Sequence, residues 1–274
     1  MTRYLETADG TRIAYDREGS GQPLVLVDGA GQFRAVDAAT GELTGELARR
    51  GFDVLHHDRP GRGDSGGEPP FGLAGEVAAI RALVEVAGGR AWLYGSSSGG
   101  AIALAAAADI PGVERLVLWE VPLGEELGTD GTEYLAAVRE LVAAGDREGI
   151  WRLYTDGMPP EWFEGMRSGP HWPLYERMAP TLEADAEALA WTQSAPRAQL
   201  WAPVTAPTVV LLGTGTFPFM VDAAESLVRC LPRAEVARLP GSDHRWQPAD
   251  LADRLAGYLG VSDRPAAPGG TRSS

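Results

Sequence analysis

Short, mostly apolar runs recur along the chain, each closed by a polar or glycine-rich break. They fall at residues 24–27, 52–55, 91–94, 113–121 and 207–213. Continuous apolar runs of this length predict strands covered on both faces of a sheet. Between them the spacing turns helical. In 73–86 the apolar positions are Leu73, Val77, Ile80, Leu83 and Val84, and Gly88-Gly89 stops the run. Residues 36–50 read as a helix weakened by Gly41 and Gly45 and ended by Gly51. Near the start, 3–7 and 11–16 alternate around Asp9-Gly10, which predicts an antiparallel hairpin at one sheet edge. After residue 121 the strand–helix alternation fails. Residues 122–206 hold only helical and irregular patterns, among them an amphipathic 134–144 and an Ala/Glu-rich 182–191, broken by Pro159-Pro160, Pro170, Pro173 and Pro180. A helix at 223–230, a last strand at 234–239 and a closing helix at 249–259 follow. The expected architecture is α/β: a mostly parallel sheet with helices on both faces. Its core is 1–121 and 207–261, with a helical insertion at 122–206. The tail, 262–274, is rich in Pro, Gly and Ser and is expected to be disordered.

Composition narrows the function classes. The 274 residues suffice for one large core, and 44% are hydrophobic. A net charge of −14 argues against nucleic acid and anionic membranes as partners. The single cysteine, Cys230, excludes an internal disulfide and sits in the apolar register of a helix, as core filler. No basic region precedes an apolar run at the N-terminus, and no apolar stretch approaches the roughly 20 residues of a membrane helix. A cytoplasmic protein is expected. There is no ligand-spaced His/Cys cluster and no nucleotide-binding loop, so neither a metal nor an organic cofactor is implied.

The strongest chemical signal is Ala91-Trp-Leu-Tyr-Gly-Ser-Ser-Ser-Gly-Gly-Ala101. A strand runs into Gly-x-Ser-x-Gly, and an Ala-rich helical run follows, the context in which that pattern presents a nucleophilic serine. Only Ser97 has a glycine two residues away on each side. Ser98 then begins the helix, where its backbone N–H is free to face developing negative charge. The turn at Asp28-Gly-Ala-Gly31, Glu120 and His244 also follow strand ends. In such a sheet these positions converge on one edge, where ligands bind.

These features in this order resemble the α/β-hydrolase superfamily over about residues 3–260. The motifs that carry the resemblance are Val27-Asp-Gly-Ala-Gly31, Asp58-Arg-Pro-Gly-Arg-Gly-Asp-Ser65, Gly95-Ser-Ser-Ser-Gly99, Pro207-Thr-Val-Val-Leu-Leu-Gly213 and Leu239-Pro-Gly-Ser-Asp-His244. The resemblance implies that 122–206 caps the active site and that His244 is the general base for Ser97. It also implies that the Ala30 N–H joins that of Ser98 in an oxyanion hole. The usual acid is missing: the loop after 207–213 carries Thr216 where an Asp is expected. Some members carry the acid one strand earlier, where Glu120 stands. Asp222, placed near the start of the next helix, and Asp243 remain its rivals. Asp28 replaces the usual histidine and is expected to hydrogen-bond within its turn. His56, His57 and the 58–65 loop read as structural, or gating in the histidines' case. His171 lies in the insertion, where at most it touches substrate. One or two of the insertion's tryptophans, and Gln32 or Phe33, are expected to face it.

The expected function is a serine hydrolase cleaving an uncharged, largely apolar ester, lactone or thioester through an acyl-enzyme. The alternatives are C–C bond hydrolysis, lyase, cyclase or perhydrolase chemistry, or a non-catalytic ligand-binding protein. The carboxylate missing at Thr216 is what favours the last. The sequence carries no signal for oligomeric state.

Overall fold

The computed structural model describes residues 1–260. The 262–274 tail expected to be disordered therefore lies outside the described residues. β1 (Arg3–Glu6) and β2 (Arg12–Gly19) form the antiparallel hairpin at one edge. β3 (Gln22–Val27), β4 (Phe52–His57), β5 (Ala91–Ser96), β6 (Val113–Trp119), β7 (Thr208–Gly215) and β8 (Ala234–Ser242) run parallel. A short β9 (Arg245–Trp246) turns back against β8. The strand order is β1-β2-β4-β3-β5-β6-β7-β8-β9. The chain therefore steps one way from β3 to β4 and the other way to β5. The crevice beyond β3 and β5 is the switch point where such sheets bind ligands.

Each apolar run feeds two cores because successive side chains leave a strand on opposite faces. Leu24 and Leu26 of β3, with Val209 and Leu211 of β7, pack in one layer against α1 (Ala38–Arg49) and α11 (Pro248–Ala256). Val25 and Val27, with Val210 and Leu212, pack in the other against α2 (Leu73–Val86), α3 (Ser98–Asp109) and α10 (Pro218–Cys230). α3 is buried over its first ten residues, which explains its lack of a polar face.

Between β6 and β7 the chain forms only helices and turns: α4 (Asp130–Ala144), α5 (Arg147–Tyr154), α6 (Pro160–Ser168), α7 (Trp172–Met178), a 3-10 turn (Ala179–Thr181), α8 (Leu182–Trp191) and α9 (Arg197–Leu200). Phe33 from the loop after β3 packs with Ile150, Trp151, Phe163, Met178 and Leu182 of this insertion, pinning it to the sheet's carboxyl edge. No helix among the described residues is long and apolar enough to cross a membrane.

Three local expectations need correction. The run at 234–239 is not the last strand, since β8 continues through Pro240 and Gly241 to Ser242 and pairs with β9. A Cβ on Gly241 would stand 2.5 Å from the Arg245 carbonyl, so glycine permits that close return. Helix α10 begins at Pro218 rather than 223, because proline is well placed in a helix's first turn, where its missing N–H has no partner to lose. Asp222 is therefore one turn inside α10 rather than at its start. The helix expected from 36 starts at Ala38, with Asp37 as cap: its carboxylate accepts the Thr40 N–H at 3.1 Å.

Candidate active site

Ser97 sits between β5 and α3 with φ 55°, ψ −128°, a backbone conformation that L residues rarely adopt. The flanking glycines allow it. A Cβ on Gly95 would lie 2.6 Å from the Gly100 Cα, and one on Gly99 would lie 2.4 Å from the Val27 carbonyl. The Ser97 N–H donates to Trp119 O at 2.9 Å, so the turn is tied to the end of β6. Glu120 follows directly, with φ 41°. At the β8–β9 hairpin, Asp243 (φ 52°) and His244 (φ 63°) are the two residues of the tight turn. Positive φ at both central positions is what such a turn requires, and it usually selects Asn-Gly. Strain at Ser97, Glu120 and His244, residues far apart in sequence and gathered at one sheet edge, is the kind that clusters at functional sites.

The structure brings Glu120 and His244 together. His244 Nδ1 lies 2.7 Å from Glu120 Oε2. The other carboxylate oxygen accepts the Gly213 N–H at 2.9 Å. Burial alone would raise the Glu120 pKa. The bond to His244, the nearby Thr216 hydroxyl and the Gly213 N–H outweigh it and hold the carboxyl below its ordinary value. Thr216, at the position expected to carry an acid, thus stands beside the carboxylate supplied by the neighbouring strand. Asp243, the adjacent rival, accepts a bond from the Ser242 hydroxyl, at 3.2 Å.

Ser97 and His244 line one cavity of about 580 Å³. Ala30, Gly31 and Gln32 form one wall, and Trp151, Tyr154, Trp162, Met166 and Tyr175 of the insertion form the roof. Two of the insertion's five tryptophans reach it, and Trp246 of β9 lines it too. Gln32 contributes to the wall, whereas Phe33 is buried under the insertion. His171 is exposed at the start of α7 and is not among the cavity's lining residues. Asp37, Asp243 and Arg245 line it as well, so the cavity offers both aromatic and charged surface. Among the described residues no His, Cys, Asp and Glu group is arranged to hold a metal ion.

Beneath the cavity lies a second polar layer. Asp28 meets His56 Nε2 at 2.9 Å rather than bonding within its own turn. Burial opposes both charges, but the pairing prevails, lowering the Asp28 pKa and raising that of His56. His57 is buried with neither ring nitrogen hydrogen-bonded, and burial pushes its pKa down to about 4. In the 58–65 loop, Arg59 and Arg62 are fully buried and both reach Asp185 of α8. Nothing in the Ala/Glu-rich run of α8 singled out Asp185 as the partner.

The profile of the alpha/beta hydrolase family matches residues 10–256. A crystal structure described as an alpha/beta hydrolase, from Sphaerobacter thermophilus, is 32% identical over 93% of this chain and 99% of that one, with a TM-score of 0.80. A hydrolase from Pseudomonas aeruginosa is 23% identical, covering 95% and 98% of the two chains at a TM-score of 0.64. A thermophilic esterase from Thermogutta terrifontis is 20% identical, covering 94% and 96% at 0.67. Comparison with curated proteins gives no match.

Proposed function

The chain belongs to the alpha/beta hydrolase family, and from that premise we propose that it is a serine hydrolase acting on an uncharged, largely apolar carboxylic ester, lactone or thioester. What carries the reading is the His244–Glu120 pair at 2.7 Å, set on the same cavity as Ser97. With Nδ1–H donated to Glu120, the imidazole keeps its basic lone pair on Nε2. The Ser97 hydroxyl adds to the substrate carbonyl as its proton passes to Nε2. Glu120 fixes that tautomer and stabilises the imidazolium. The N–H groups of Ala30 and Ser98 hold the oxyanion. When the carbonyl re-forms, the leaving alcohol or thiol takes the proton from Nε2. Water then adds to the acyl-Ser97 ester, giving its proton to His244. Collapse returns that proton to the Ser97 oxygen and releases the acid.

A fluorophosphonate probe should label the wild type at Ser97 and leave Ser97→Ala unlabelled. p-Nitrophenyl esters of short acids should give a burst matching the enzyme concentration. Labelling that survives Ser97→Ala, or ester turnover unchanged in that variant, overturns the reading.

A further inference from the structure

Asp185 is a cap carboxylate buried to 3% exposure, with three partners on the core. It accepts the Ser98 hydroxyl and an Arg59 Nη1–H, both at 2.7 Å, and an Arg62 Nη2–H. Burial opposes its charge, but the two guanidinium groups outweigh that and keep its pKa below the ordinary value. Both arginines also reach the turn after β3. Arg62 Nη1 donates to Gly29 O at 2.8 Å and to Gln32 O at 3.1 Å, and Arg59 Nη1 donates to Asp28 O at 3.1 Å. In a trans peptide the carbonyl and the following N–H point opposite ways. Drawing the Gly29 carbonyl toward Arg62 therefore turns the Ala30 N–H away from the guanidinium, on the side of the cavity that Ala30 lines.

We infer that Asp185 is a positioning residue for the oxyanion hole: it holds Ser98 by its hydroxyl, and so the N–H that residue offers, and it holds the Ala30 donor through Arg62 and Arg59. This rests on the serine-hydrolase reading. The two donors come from different loops, and one carboxylate on α8 sets their spacing. The hole is thereby tied to the seating of α8 on the core. Arg62 also donates Nε to Thr181 Oγ1 at 3.0 Å, so a second contact from the insertion holds the same guanidinium.

The test compares Asp185→Asn, Arg62→Lys and Ser98→Ala with the wild type, reading kcat and KM separately together with inhibition by an aryl boronic acid. A boronate adds to the nucleophile and places an anionic oxygen in the hole; a product-like carboxamide does not. Removing one oxyanion donor costs on the order of 10²–10³ in kcat. Misaiming both, as in Asp185→Asn, should cost up to about 10², and Arg62→Lys, which releases the Ala30 donor alone, should cost less. The loss should appear in kcat with KM little changed, and boronate affinity should fall in step while carboxamide affinity holds. Ser98→Ala keeps the N–H and strands no buried charge, so it is the second variant should Asp185→Asn fail to fold; it should show the same pattern at about tenfold. A purely structural role predicts lower stability with boronate and carboxamide affinity moving together. That outcome, or unchanged kcat in folded variants, overturns the inference while fluorophosphonate labelling of the wild type still stands. A wild type that is not labelled overturns both.

Discussion

Two histidine–carboxylate pairs stand at the carboxyl edge of the same sheet. His244 meets Glu120 at 2.7 Å, and His56 meets Asp28 at 2.9 Å. Their difference is access. The His56 and Asp28 side chains are each 4% exposed, whereas His244 is 27% exposed over a Glu120 that is 1% exposed. A proton shuttle needs one ring nitrogen free to meet substrate, with the other held by a fixed acid. Of these four residues it is His244 that lines the cavity. The His56 pair joins β3 to β4 under the turn that carries Ala30 and works as a strut. A histidine beside a carboxylate is therefore not a site until one nitrogen reaches open space.

The largest expected effect separates the pairs by turnover. Glu120→Gln should lower kcat by about 10³–10⁴, as loss of the orienting acid does elsewhere, with little change in melting temperature. Near-wild-type turnover in that variant would move the acid to another residue. His56→Leu should do the reverse. It leaves the Asp28 carboxylate buried without its histidine, at a cost of about 3–5 kcal/mol in urea unfolding, while kcat of the folded enzyme stays close to wild type. Lost turnover with intact stability would make His56 part of the chemistry.

The third and smallest effect is on pH dependence. Burial lowers the His57 pKa from 6.5 to about 4. Between those values the unfolded chain binds a proton that the folded one refuses. Stability should therefore fall as pH drops from 6.5 toward 4, by roughly 3 kcal/mol from this residue. His57→Leu should flatten that limb in melting curves taken across the range. His56 has the opposite sign: its raised pKa favours the fold at acid pH, and that contribution fades as pH rises through the folded value. An acid limb left unchanged by His57→Leu would assign the loss to the carboxylates instead.

How much was legible varies with the reach of the signal. The strands of the core were readable because two-sided burial forces unbroken apolar runs such as Leu24 to Val27. The turn at Ser97 was readable because only glycine fits at 95 and 99. Glu120 was readable by its place, one residue past a buried strand, but its pairing with His244 came only through the family resemblance, with Asp222 and Asp243 as rival acids. The β8–β9 hairpin was hidden because Pro240-Gly241 looks like a strand's end, and whether it ends depends on a returning strand. Asp185 was hidden more deeply. An acid in an Ala-rich helix looks like a solvated position until α8 is laid on Arg59, Arg62 and Ser98.

The sequence by itself determined the alternation of strand and helix, the insertion after β6 and the identity of the strained serine turn. Those follow from local sterics and from which residues tolerate burial, and neighbours along the chain suffice to express them. Tertiary structure alone decided which carboxylate meets which histidine, which histidine faces the cavity and what the buried arginines hold. Those are contacts over separations such as the 124 residues between Glu120 and His244. Charge and hydrogen-bond geometry act through space, so such pairs leave no periodic mark along the chain.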